Sequence, residues 1–563
     1  MPYQSPVGEF RFILDAVVPL APLAATERFG EATPDMVEAI LEGAGRMCNE
    51  ALAPLARVGD QIPARLENGV VRSSPGFKAG FAAIADGGWV AVAASAEHGG
   101  MGLPQTLNMV VNDMMSGACL PLQLNALLTQ GQIEALEHHA SDEIKNLYLP
   151  KLISGVWSGT MNLTEPQAGT DVGALRTKAE PLDDGSYAIT GQKIFITWGD
   201  SDLTENVCHL VLARLPDGPP GTRGISLFMV PKFLPDAKGN PGVANTLKVV
   251  SLEHKMGLHG SPTCVMAYDG AKGWLVGEKH KGLAAMFTMM NNARLAVGVQ
   301  GVGVAEAAYQ KALDYARERN QMGPIINHAD VRRMLVTMKA EVFAARAIGL
   351  ACAVALDMGR ATGAPDWAAR SALLTPIAKA YGTDVGMAVS ETCVQVHGGM
   401  GYIEETGAAQ FYRDVRVTAI YEGTNGIQAM DLVGRKMMDS GEAAFRLLQE
   451  VEDNAEAARA LLPQLAGDVW AAAETLREAT EVLLAQGMED RFAGAVPYLR
   501  AFARVLGGHY HLRAAVAEGG KGPRSALAAV YIRRLMPQYA AALAEAQEGA
   551  EGLFALSPED LAL

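Results

Sequence analysis

Tyr187-Ala188-Ile189-Thr190-Gly191-Gln192-Lys193-Ile194-Phe195-Ile196-Thr197-Trp198-Gly199 is the stretch on which the fold turns. Its aromatic and β-branched residues form two short runs, 187–190 and 193–197, which predict strands. Similar runs follow at 209–213, 225–230, 246–250 and 264–267, punctuated by Gly, Pro and Asp. Together they predict an all-β insert, a sandwich or barrel. On either side, apolar residues recur at three- and four-residue spacing, as in 34–53, 107–118, 340–358 and 368–389, which predicts helices. His98-Gly99-Gly100 and Glu518-Gly519-Gly520-Lys521-Gly522-Pro523 read as breaks between helices. Helices, then strands, then helices again point to an α+β multidomain chain rather than a doubly wound sheet. The expected parts are an N-terminal extension (1–35), an N-terminal helical domain (36–156), a middle β domain (157–276), a helical bundle domain (277–440) and a C-terminal helical extension (441–563).

A chain of 563 residues is too long for one ordinary core. Its net charge of −15 argues against a nucleic-acid surface. The six cysteines are scattered without a C-x-x-C pair, as expected for reduced thiols in the cytoplasm. The opening Met1-Pro2-Tyr3-Gln4-Ser5-Pro6 lacks the pattern of a secretory signal. The ending Asp560-Leu561-Ala562-Leu563 is not a peroxisomal address. Without a continuous apolar run of membrane-spanning length, no membrane span is expected.

Several short strings carry candidate chemistry. Ile420-Tyr421-Glu422-Gly423-Thr424-Asn425 sets one carboxylate between an aromatic ring and a glycine, which makes Glu422 the strongest candidate general base. The loop Met161-Asn162-Leu163-Thr164-Glu165-Pro166-Gln167-Ala168-Gly169-Thr170 lies where helix gives way to strand. Its small residues admit a ligand to the backbone and its hydroxyls can donate, so it suits a polar ring edge or a pyrophosphate, or is an ordinary turn into a strand. Phe195 and Thr197 share a strand face and could cover and bond a flat heterocycle, or belong to a half-buried strand. Arg319 could fork onto a phosphate or close a solvated helix end. Gln395-Val396-His397-Gly398-Gly399-Met400-Gly401 reads as a tight turn after a helix, with His397 structural rather than a base. Met286, Met289 and Met290 favour core packing over an acyl channel. Gly298, Gly301 and Gly303 do not form G-x-G-x-x-G after a strand, so they favour close helix packing over a dinucleotide site.

In this order, with Glu97-His98-Gly99-Gly100-Met101-Gly102 and Lys255-Met256-Gly257, these strings make the chain resemble the acyl-CoA dehydrogenase family over about residues 40–438. The resemblance implies FAD in a cleft between domains, an acyl-CoA substrate, electron-transfer flavoprotein as acceptor, and a trans-2-enoyl-CoA product. It implies that Met161, Leu163, Thr164, Gly169 and Thr170 line the flavin and its phosphate, and that Phe195 and Thr197 flank the isoalloxazine. Arg319, Gln395, Gly398 and Gly399 would hold the ADP half across a subunit interface. Thr424 and Gly426 would also meet the cofactor. Thr170, Arg294 and Gly423 would face the substrate, and Glu422 would take its α-proton.

The chain departs from the plain family pattern in four places. Phe195 stands where Trp is usual, and Trp198 where Asn is common. A Gln expected after the Arg319 loop is missing near His328-Ala329-Asp330. Ala293, not Glu, precedes Arg294, which leaves Glu422 unopposed as base. The fourth departure is length, at both ends. The opening Pro2-Tyr3 to Pro6, the run Phe10-Arg11-Phe12-Ile13-Leu14 and the long tail resemble the large bacterial subgroup, which includes enzymes acting on 3-(methylthio)propionyl-CoA, the substrate expected here, with a homodimer expected. A straight medium or long acyl chain is the alternative substrate. A DNA-associated alkylation-response flavoprotein would need a basic tail, but residues 441–563 hold 17 acidic and 11 basic residues.

Overall fold

The computed structural model describes residues 3–562; Pro2, at the start of the opening motif, and Leu563, at the end of the terminal tetrapeptide, lie outside the described residues. The chain divides into two compact units, one formed by Glu42–Ala293 and the other by Pro6–Leu41 together with Arg294–Leu563. The division falls within the long helix Gly282–Glu318.

In the first unit the helices Phe77–Asp86, Gln105–His139 and Asp142–Ile153 precede a seven-stranded mixed sheet. Thr263–Val276 pairs antiparallel with Tyr187–Thr197, and Tyr187–Thr197 with Lys178–Pro181. Lys178–Pro181 touches Asn206–Arg214 through one parallel pairing, Lys178 with Arg214. Ile225–Pro231 pairs with both Asn206–Arg214 and Thr263–Val276, which closes the ring. A closed ring leaves few unpaired strand edges, the advantage of a barrel. Ile189, Ile196, Val211, Phe228 and Met266 fill its core.

The runs 187–190 and 193–197 are one strand, Tyr187–Thr197, not two. Gly191 marks a close approach rather than a turn, since a Cβ there would meet Thr177 Oγ1 at 2.5 Å. Lys193 pairs with Met266 and Ile196 with Cys264, so Ile194 and Phe195 together oppose Val265 in a β-bulge. Met286 and Met289 are buried in this unit, and Met289 fills the space a side chain at Gly131 would need. They are core, as expected.

The second unit is helical. Helix Ala329–Thr362 is long and apolar enough to cross a membrane by length and composition alone, but 78% of its most apolar window is buried inside the protein. It is a core helix. Gly298 and Gly301 let helix Gly282–Glu318 cross helix Pro365–His397 at backbone contact. A Cβ on Gly301 would lie 2.3 Å from the Gly382 carbonyl oxygen, and one on Gly382 would lie 2.4 Å from the Gly298 carbonyl oxygen. Gly301→Ala must therefore push two helices apart. We expect a loss of about 1–3 kcal/mol, read as a lower urea midpoint; an unchanged midpoint would mean that the crossing yields freely. The C-terminal extension packs its helix Ala495–Ala517 against Pro365–His397 and Asn425–Val433. Its helices break at Gly519, Gly520 and Gly522, all at positive φ, as the sequence suggested.

Candidate active site

Glu422 has φ +57° and Gly423 φ +84°. A left-handed glutamate is uncommon and costs on the order of 1–3 kcal/mol, so neighbouring contacts must hold it there. The Glu422 carbonyl accepts from Gln428 Nε2 at 3.0 Å. The Gly423 carbonyl accepts from Lys379 Nζ at 2.9 Å. Tyr421 donates its hydroxyl to Gln300 Oε1 at 2.6 Å. Thr424 caps helix Asn425–Val433, its Oγ1 accepting from the Ile427 amide at 3.3 Å. Among the described residues the Glu422 amide donates to no protein acceptor.

Glu422 is half-buried, with part of its surface still accessible. Even so, loss of hydration raises its carboxyl to about 7, while Arg294 and Lys379 pull the other way. Arg294 is buried on helix Gly282–Glu318, and its guanidinium lies 4.0 Å from Asp431. Burial lowers Lys379 to about 8, against the attraction of Glu422 and Asp384, so it remains mostly a cation at neutral pH. A carboxylate poised near 7 beside two cations has the titration that general-base chemistry in neutral solution requires.

The candidate cofactor residues at 161–197 lie in the other unit. Along 161–170, Met161, Leu163 and Thr164 are half-buried, and Gly169 and Thr170 are exposed. The Ile194 amide donates to the Thr164 carbonyl at 2.9 Å, which sets this loop beside Phe195 and Thr197. Phe195 has φ +59° and is 60% exposed. The bulge is what turns it outward, a device that strand periodicity alone does not disclose. A bare aromatic ring, threonine hydroxyls and a glycine with open space at its Cβ position fit a flat, polar-edged heterocycle. Trp198 takes no part in that surface. It is fully buried, with its indole N–H on the Pro121 carbonyl at 2.9 Å.

Arg319 lies at the end of helix Gly282–Glu318, at the foot of an exposed loop whose Met322 is 97% exposed. Tyr315, one helical turn earlier, stacks on His397 at 4.2 Å. That contact brings the Arg319 end of the helix beside exposed Gln395, Gly398 and Gly399. Gln395 belongs to the last turn of helix Pro365–His397, and the tight turn starts only at Gly398. His397 bonds the Cys393 carbonyl at 2.7 Å and is structural, as the sequence reading favoured. Where the family's Gln is missing, His328 Nε2 meets the Gln321 carbonyl at 2.8 Å.

Sequence reasoning missed Lys379, Gln428 and Gln300, which hold the Glu422 turn, and Lys193, which pairs with Glu165. One signal for Lys379 was available: a lone lysine in the apolar run Ile377-Ala378-Lys379-Ala380-Tyr381 of a helix.

Comparison with known proteins adds relatives to this geometry. Residues 35–156, 160–271 and 280–438 match the N-terminal, middle and C-terminal domains of acyl-CoA dehydrogenases. Residues 447–557 match a domain described as acetyl-CoA dehydrogenase C-terminal like. The chain is 46% identical to 3-methylmercaptopropionyl-CoA dehydrogenase of Ruegeria pomeroyi, over 89% of this chain and 88% of that protein. Among solved structures, Caenorhabditis elegans ACDH-11 in complex with C11-CoA superposes with a TM-score of 0.81 at 20% identity, over 94% of this chain and 91% of that one. An acyl-CoA dehydrogenase of Bacillus anthracis complexed with FAD gives 0.77 at 19% identity, over 98% and 94%.

Proposed function

The chain belongs to the acyl-CoA dehydrogenase family, and from that premise we propose that Glu422 is the base that takes the α-proton of an acyl-CoA, with 3-(methylthio)propionyl-CoA as the substrate. The observation that carries the assignment of the base is the left-handed Glu422, with burial raising its carboxyl to about 7 against the pull of Arg294 and Lys379. The 46% identity to the Ruegeria enzyme supports the acyl group.

An acyl-CoA α-C–H is only weakly acidic, so the developing enolate must be stabilised as the proton leaves. The Glu422 amide, which donates to no protein acceptor among the described residues, would donate to the thioester oxygen. Arg294 and Gly423 border the same turn and would face the substrate with Thr170. FAD, when bound, supplies the acceptor for the β-hydride, so that 3-(methylthio)propionyl-CoA becomes 3-(methylthio)acryloyl-CoA. Met161, Leu163, Thr164, Gly169, Thr170, Phe195 and Thr197 would hold the flavin end. Arg319, Gln395, Gly398 and Gly399 would hold the ADP half, with Thr424 and Gly426 as further contacts. Family members pass electrons to electron-transfer flavoprotein, and the same acceptor is proposed here. We also propose a cytoplasmic homodimer and the five-part division at 35, 156, 276 and 440.

Anaerobic mixing of the FAD-loaded protein with an acyl-CoA panel tests the substrate. Flavin absorbance should bleach faster with 3-(methylthio)propionyl-CoA than with butyryl- or octanoyl-CoA. Sulfur and methylene are similar in size, so the margin should be modest, roughly 10-fold. Equal or faster bleaching by octanoyl-CoA would remove the sulfur substrate and leave a straight-chain dehydrogenase.

A further inference from the structure

We propose that Lys379 is a positioning residue for the reaction: its enclosed ammonium grips the Gly423 carbonyl and the Asn425 side chain, and thereby fixes where the Glu422 carboxylate stands. This inference rests on the assignment of Glu422 as base.

Lys379 lies in the middle of helix Pro365–His397 and is fully buried. Enclosing an ammonium is costly unless its protons find partners. Two of its contacts lie in the catalytic turn: the Gly423 carbonyl at 2.9 Å and Asn425 Oδ1 at 2.9 Å. Both are neutral oxygens. The charge is therefore not spent on a contact ion pair and acts on the carboxylate nearby.

The same helix braces the far side of Asn425. Thr383, one turn along from Lys379, donates to Asn425 Oδ1 at 3.2 Å, and Asn425 Nδ2 donates to Asp384 Oδ1 at 2.8 Å. Asn425 is the first residue of helix Asn425–Val433, and Gly423 lies two residues before it. Lys379 thus pins the turn on both sides of Thr424. A left-handed glutamate relaxes unless its surroundings over-determine it, and this clamp, with Gln428 on the Glu422 carbonyl, is what over-determines it.

The charges around Lys379 come from several elements. Glu422 and Asp384 attract it and Arg294 opposes it. Arg500 of the C-terminal extension reaches Asp384 at 3.5 Å, and Asp431 faces Arg294, Arg435 and Lys436. Lys379 is a cation that both helps to hold Glu422 ionised and touches its backbone turn. Removing it has two separable consequences. The turn loses an anchor, which slows proton abstraction at every pH. The carboxylate loses a positive neighbour, so its titration moves to higher pH.

The test is the pH profile of substrate-driven flavin reduction in FAD-loaded wild type, Lys379→Met and Lys379→Arg, with FAD content and melting temperature recorded for each. For Lys379→Met the high-pH plateau should fall about tenfold or more, and the acid limb should move up by on the order of one pH unit. Lys379→Arg keeps the charge, so its limb should stay at the wild-type position even if its plateau falls. A purely structural lysine would lower the plateau in both variants and move neither limb, and that result overturns the proposal. So does a wild-type profile in Lys379→Met. If Lys379→Met does not fold, Asn425→Ser removes one of the two gripped oxygens and keeps the cation. Its plateau should fall with the limb unmoved, and an unchanged plateau overturns the proposal. Glu422→Gln separates the two claims. If it reduces flavin at the wild-type rate, the assignment of the base has failed. If it is inactive while Lys379→Met behaves as wild type, only the role of Lys379 has failed.

Discussion

Glu422→Gln should lose at least a hundredfold in the rate of substrate-driven flavin reduction and still retain FAD. The loss expected from removing a general base is roughly 10²–10⁴. The substitution is close to isosteric and leaves the turn's anchors in place, because Gln428 and Lys379 bond the backbone carbonyls of Glu422 and Gly423 rather than the side chain. Protein fold and flavin content are therefore expected to survive, which makes the rate the informative quantity. The wild-type enzyme should show a rate that rises through a pH of about 7, because only the ionised carboxylate accepts the proton and its carboxyl titrates there. The variant should lack that limb. Stopped-flow reduction across pH 5.5–9 (roughly the span needed to see both arms) reads both effects. A variant that bleaches its flavin as fast as wild type would show that the α-proton leaves by another route.

Much of the frame was legible because its signals are periodic or covalently local. The β texture starts at Trp157 and helices resume at Gly282, both where the residue pattern changes. Gly298 and Gly301 are the packing glycines that their helical setting suggests, and the near-contact with Gly382 is the physical reason. One acid beside a glycine means little alone; Glu422 gained its weight from the ordered strings around it. What stayed hidden depends on partners distant in sequence. The bulge that exposes Phe195 arises from the register against Val265, about 70 residues away. The clamp from Lys379 to Gly423 spans 44 residues. The contact of Arg500 with Asp384, which joins the C-terminal extension to the helix that braces the Glu422 turn, spans more than 100. Periodicity places such residues on a face but cannot pair them.

Lys193→Met should be the most damaging single change in the β-bearing unit. Lys193 is fully buried, and its Nζ sits 2.8 Å from Glu165 Oε1 and 2.9 Å from the Leu163 carbonyl. Glu165 also accepts from the Arg176 amide at 2.6 Å and from Thr177 Oγ1 at 2.6 Å. Burial alone would push the Glu165 carboxyl up, but Lys193 and these donors outweigh it and hold it at about 2. Methionine fills the space and strands the carboxylate, at a cost of about 3–5 kcal/mol. That should lower the melting temperature by roughly 3–4 °C at pH 7. The sign of the pH dependence follows from the depressed carboxyl. In wild type the pair's stabilisation is present above the unfolded glutamate value of about 4.3 and is lost as pH falls toward 2. In the variant the stranded carboxylate can take up a proton, so the gap between the two proteins should narrow as pH falls from 7 to 5. Glu165→Gln combined with Lys193→Met should recover part of the loss, because no charge is then left buried. The same lysine fixes the Leu163 carbonyl beside Thr164, so FAD should dissociate more readily from both variants than from wild type. Melting curves for the three proteins at pH 7 and 5, with flavin release as the second readout, decide the matter. A Lys193→Met protein that melts within about 2 °C of wild type at pH 7 would mean that water or a local shift relieves Glu165, and that the loop does not depend on the ion pair.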